Sequence, residues 1–101
     1  MKIMYHATAR ENLFSILENG IQAKNAEGLV YLCEKSEDAV KFLAIRGCKN
    51  IVTFKVKIYD RDSDKIIETF DHSYRFFKCR AFGFMGDIPA KNIQAHMEYN
   101  L

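Results

Sequence analysis

Two side chains in the first third of the chain stand where chemistry can be done. One is His6, in the stretch YHATARENLFSILENGI (residues 5–21); the other is Tyr31, inside LVYLC (residues 29–33). A histidine ring titrates near neutrality and, when neutral, donates from one nitrogen and accepts at the other. A tyrosine has a flat apolar face and a polar tip. Taken singly, His6 reads as a histidine tied to nearby backbone at a strand-helix corner, and Tyr31 as an ordinary core residue. Each, however, opens a strand-helix unit. On neighbouring strands the pair makes a pocket wall on which a nucleotide can stack and hydrogen-bond.

A second group lies in ETFDHSYR, residues 68–75. Asp71-His72-Ser73 has the composition of an Asx-type turn. The alternative is that Asp71 or His72 reaches the rim of a cleft as an acid or base. Glu68 has the same option if residues 66–70 line that cleft. Arg75, Lys78 and Arg80 follow among aromatic residues, a mixture that suits phosphates and stacked bases. It equally suits a solvated face with snorkelling stems.

These residues need elements to hold them. Residues 2–7 read as a short strand. Thr8 and Glu11 have capping-box spacing for a helix, Leu13, Ile16 and Leu17 form its apolar stripe, and Gly20 supplies a left-handed stop. Residues 29–33 make a compact strand. Ser36 is placed to cap a second helix with Ala39, Phe42 and Leu43 inward, and Gly47 ends it. In 51–58, Phe54, Val56 and Ile58 alternate with Lys55 and Lys57, the pattern of a half-buried strand. A charged loop (60–65), a short strand (66–70), a long strand (74–85), a turn at GDIP and a last strand (92–99) follow. Within the long strand, Ala81, Gly83 and Met85 share a core-like face with Phe77 and Cys79. Phe82 and Phe84 fall with Phe76, Lys78 and Arg80. Helices early and strands late predict an α+β fold with a mostly antiparallel sheet and two early helices.

Composition narrows the class. The 101 residues suit one domain, residues 1–101, and 49% hydrophobic residues suffice for one modest core. A formal net charge of +2 is too small to imply nucleic-acid binding by itself. Three cysteines, an odd number with no paired spacing, predict neither a disulfide framework nor a metal site. Cys33 and Cys79 read as small core residues without a catalytic role. Reduced thiols, no basic-then-apolar leader and no apolar run of spanning length predict a cytoplasmic protein that does not engage membranes.

Tyr5-His6-Ala7-Thr8, then FSILENGI, then VYL with a helix starting near Ser36, and finally GDIPAKNI with its Ile-Pro-x-x-x-Ile spacing, occur in an order that resembles the ADP-ribosyltransferase superfamily. The similarity is to the branches that include DNA-modifying bacterial toxins and tRNA 2′-phosphotransferases. It implies a split, mostly antiparallel sheet and NAD as substrate, without a metal. It implies that His6 hydrogen-bonds the ribose next to nicotinamide, with Thr8 in the same motif, and that Tyr31 stacks on the nicotinamide ring. It also implies a glutamate a few residues before GDIP, to stabilise positive charge as the glycosidic bond breaks. Between Arg75 and Met85 there is no Asp or Glu. The resemblance therefore leaves Glu68, Asp71 or His72 to support the chemistry and Arg75, Lys78 or Arg80 to meet phosphates. The competing expectations are a domain that binds a nucleotide or nucleic acid without turnover, and an enzyme of the RNA 2′-phosphotransferase type. Tyr31, where that last branch carries histidine, favours NAD. The acceptor, protein or nucleic acid, is left open.

Overall fold

The structure is a computed structural model that describes residues 1–24, 26–69 and 81–101. Among these residues six strands form one antiparallel sheet: β1 (Lys2–Ala9), β2 (Leu29–Cys33), β3 (Asn50–Ile58), β4 (Ile66–Thr69), β5 (Ala81–Met85) and β6 (Ile93–Asn100). Their order across the sheet is β4-β5-β2-β1-β3-β6, so β1 and β2 lie at the centre. Helix α1 (Leu13–Asn19) lies on one face and α2 (Ser36–Ala44) packs across β1 and β3 on the other. The fold is α+β, as the pattern of elements predicts. Among the described residues no helix is long and apolar enough to cross a membrane.

The alternation in β3 sets the two faces. Met4 pairs with Val56 and His6 with Phe54, so these side chains share the α1 face. Val30 and Leu32 pair with Phe84 and Phe82 on the same side. Met4, Val56, Val30, Leu32, Phe82 and Phe84, together with Ile21, Ile58 and Ile88, form the main buried cluster. Phe82 and Phe84 therefore belong to the core, which corrects the expectation that their face is the outer one. Met85, expected inward, is exposed. The register with β2 decides this: Val30 and Leu32 are already buried, and their cross-strand partners must face the same way.

Three local expectations also give way to tertiary pairing. Strand β1 continues to Ala9 because every residue from Lys2 to Ala9 finds a partner on β3. Thr8 is consequently strand, not a helix cap, and its hydroxyl accepts a hydrogen bond from Asn12 Nδ2 at 2.9 Å. Helix α1 starts only at Leu13, after a 3-10 turn at Arg10–Asn12, and Ile16 becomes its contact to the core. Leu17, expected inward, is exposed. Ser36 is the first residue of α2 rather than its cap. It is buried, and its hydroxyl bonds Tyr99 Oη at 2.8 Å and donates to Thr53 Oγ1 at 3.3 Å, tying α2 to β3 and β6. The charged segment Asp60–Lys65 forms 3-10 turns rather than a plain loop.

Gly20 does stop α1, its N–H bonding the Ile16 carbonyl at 2.8 Å with φ +81°. A Cβ there would stand 2.2 Å from the Ile88 carbonyl oxygen, which accepts the Ile21 N–H. Gly28 also has positive φ, but its Cβ position is open. Gly20→Ala is expected to lower unfolding free energy by about 3 kcal/mol, strain plus clash, and Gly28→Ala by about 1 kcal/mol, strain alone. Ser36→Ala is expected to cost about 1–2 kcal/mol through the lost hydroxyl bridge. Urea unfolding of the three variants measures all of these.

Candidate functional site

In the register β1 has with β2, a single residue pair is in place: Tyr5 opposite Cys33. Beyond it, β1 stays with β3 through Ala9 while β2 stays with β5 through Leu29. The sheet forks there, and His6 is the first residue past the last paired one. Its ring lies in the gap, with Nδ1 2.9 Å from the Tyr31 carbonyl oxygen. A carbonyl only accepts, so Nδ1 carries the proton and, in the neutral ring, Nε2 keeps its lone pair. Burial of the ring holds the His6 pKa below its usual value, against a smaller opposing effect of the Tyr31 carbonyl. The neutral form, with Nε2 as acceptor, is therefore favoured.

The pleat sends the Tyr31 side chain to the α2 face, beside Cys33, while His6 shares the α1 face with Met4. Because the strands part between them, both residues border the hollows on both sides of the fork. The hollow on the α2 side, about 280 Å³, is closed by Ala39, Phe42 and Leu43 and has Arg46 at its margin. Tyr31 is 44% exposed and offers a ring for stacking. The hollow on the α1 side, about 340 Å³, is more polar, with Thr8, Asn12, Gln22 and Lys24 around it. Arg46 and Lys24 are exposed cations without an ion-pair partner among the described residues.

Of the residues singled out from the sequence, the fold thus brings His6, Tyr31 and Thr8 together. Glu68 lies on β4, the outermost strand on that side among the described residues, opposite Phe82. Phe82 in turn faces Leu32, so Glu68 is two strands from β2 and three from β1, about 14 Å in sheet spacing. It borders neither hollow. Asp71, His72, Arg75, Lys78 and Arg80 lie outside the described residues, as does Cys79. Arg46, Lys24, Asn12 and Gln22 were not legible as site residues. They sit in connecting segments or a short turn, and no periodic pattern marks them. Among the described residues no cluster of three His, Cys, Asp or Glu side chains could hold a metal ion.

Comparison of the sequence with known families found no matching family model, and comparison with curated proteins found no significant match.

The lowered His6 pKa carries a sign for stability. Below about pH 6.5 the unfolded chain takes up a proton at His6 that the folded chain resists. This contribution is therefore complete above that pH and is lost as pH falls through the folded value. His6 is expected to titrate below 6.5 in an NMR pH series, and His6→Gln is expected to flatten this part of the decline in unfolding free energy. A His6 titration at or above 6.5 contradicts the assignment.

Proposed function

We propose that this protein is an ADP-ribosyltransferase-like protein that binds NAD at the fork between β1 and β2 and transfers ADP-ribose to an acceptor. One observation carries the reading: a histidine and a tyrosine border both hollows at the point where two central strands part. Two hollows flanking one fork, with His6 and Tyr31 common to both, suit a ligand of two halves. The hollow on the α1 side, about 340 Å³, falls at the lower end of the roughly 300–1,000 Å³ typical of small-molecule sites, and the hollow on the α2 side, about 280 Å³, just below it.

In this reading the nicotinamide stacks on Tyr31 in the apolar hollow, and His6 Nε2 accepts a hydrogen bond from a ribose hydroxyl. Arg46 and Lys24 attract the pyrophosphate from the two sides. In the reaction, the bond between the ribose C1′ and the nicotinamide nitrogen breaks. Its electron pair leaves with nicotinamide, an acceptor atom bonds C1′, and the acceptor's proton passes to solvent or a base. Positive charge develops on the ribose and calls for a fixed negative or hydrogen-bonding partner. Asp71, His72 and Glu68 are the candidates for that role; of these, Glu68 borders neither hollow.

A second reading, binding without turnover, has its own support. Among the described residues no carboxylate borders either hollow. A fork lined by a neutral histidine, a tyrosine and two cations is suited to hold an anionic nucleotide.

Calorimetric titration with NAD separates these outcomes from a wrong assignment. Wild type is expected to bind. His6→Ala and Tyr31→Ala are each expected to lose about 10-fold or more in affinity, while Tyr31→Phe keeps the stacking face and stays within about 3-fold. Arg46→Ala is expected to weaken NAD more than nicotinamide riboside, which lacks the pyrophosphate. Absence of binding at millimolar NAD overturns the proposal. Binding without nicotinamide release, across cell extracts offered as acceptor, selects the second reading.

A further inference from the structure

A third hollow, about 230 Å³, lies at the opposite end of β3 from the fork. Four cations border it: Lys57 at the end of β3, Arg61 and Lys65 from the 3-10 turns after it, and Lys91 before β6. Among the described residues two carboxylates do so, Asp62 and Asp87. The local excess thus equals the formal charge of the entire chain, +2, concentrated at one place.

The two acids are already engaged. Asp62 is 3.4 Å from Lys65 Nζ and 3.9 Å from Arg61 Nε, so it holds both cations beside the hollow. Lys65 Nζ also lies over the Phe84 ring at 5.9 Å, and Arg61 over Tyr59 at 5.2 Å. Asp87 Oδ1 accepts the Ala23 N–H at 2.8 Å, which turns that oxygen toward the chain. Lys57 and Lys91 are exposed and have no ion-pair partner among the described residues. Both cations of these pairs are exposed, and ion pairs open to solvent on one side are weak and yield to a stronger anion. Like charges held around a concave surface repel one another, and an anion in the hollow relieves that repulsion.

We propose that this hollow, bordered by Lys57, Arg61, Lys65 and Lys91, is a binding site for a phosphate-bearing ligand, separate from the fork. A phosphate monoester carries nearly two negative charges at neutral pH, which matches the local excess. Arg61 supplies a planar fork of donors, and the lysines supply point charges. Lys57 pairs with Ile3, three residues before His6 on β1, so the site is about 10 Å along the strand from the His6 row. It does not depend on what the fork binds.

The test uses the whole protein and three probes: inorganic pyrophosphate, a 5′-phosphorylated ten-nucleotide oligothymidylate, and the same strand without its 5′-phosphate. Two double variants remove equal charge, Lys57→Gln with Lys91→Gln at the hollow, and Lys35→Gln with Lys49→Gln away from it. Wild type is expected to bind pyrophosphate in calorimetry at low salt. The hollow variant is expected to lose at least 10-fold in affinity, with the control variant within 2-fold. A loss confined to pyrophosphate and the phosphorylated strand marks a terminal phosphate as the ligand group. An equal loss for the unphosphorylated strand marks a nucleic-acid backbone. Equal losses in the two double variants mean diffuse attraction and overturn the proposal, as does absence of pyrophosphate binding at millimolar concentration.

Discussion

The hydrogen bond from His6 Nδ1–H to the Tyr31 carbonyl stands where a neighbouring strand would otherwise supply a partner. An antiparallel sheet satisfies its backbone groups by ladder pairing, and a gap between central strands leaves some of them open. A carbonyl left open in such a gap must turn to water or to a side chain. The histidine ring meets that need from the side and lets β1 and β2 part after a single residue pair. The same bond sets the proton on Nδ1 and turns Nε2 into an acceptor. A structural role and a chemical property of the site thus come from one contact, at the point where the pairing of β1 with β2 ends.

Each side of the fork is then held by a different device. On the α1 side, Gly20 lets the chain pass against the carbonyl of Ile88, and Ile21 bridges to Ile88 by two backbone hydrogen bonds of 2.8 and 2.9 Å. That bridge keeps Ile21 in the core, next to the polar hollow. On the α2 side, the Ser36 hydroxyl joins Thr53 and Tyr99, fixing the start of the helix whose later turns close the apolar hollow. The walls differ in character because one is built from a loop and the other from a helix face. This supports assigning different halves of a ligand to them.

Charge is distributed with the same economy. The described residues that border the two fork hollows include two cations and no carboxylates, whereas the distal hollow mixes four cations with two acids. The lysines and arginines that join acids in ion pairs sit elsewhere on the surface or beside the distal hollow. Examples are Lys2 with Glu34 at 3.3 Å and Lys41 with Asp38 at 3.5 Å. Such pairs add little stability. The arrangement of charge therefore bears on which molecules approach more than on how firmly the chain folds.

Strand periodicity was written in the chain. LVYLC is β2 to the residue, and Phe54, Val56 and Ile58 face inward as their alternation with lysines requires. These signals are local because a half-buried strand must alternate, whichever strand it pairs with. That His6 and Tyr31 lie on strands that lead into helices was legible for the same reason. Pairing partners were not legible, since they join residues far apart in sequence. Only the ladder with β3 extended β1 past Thr8, and only the register with β2 turned Phe82 and Phe84 into the core. Arg46 and Lys24 reach the hollows from connections that carry no period at all. The sequence by itself determined strands such as β2 and β3 and offered a histidine and a tyrosine as side chains with a polar tip. The tertiary structure decided where two of those strands separate, because a gap in a sheet is a property of pairing and not of any one strand.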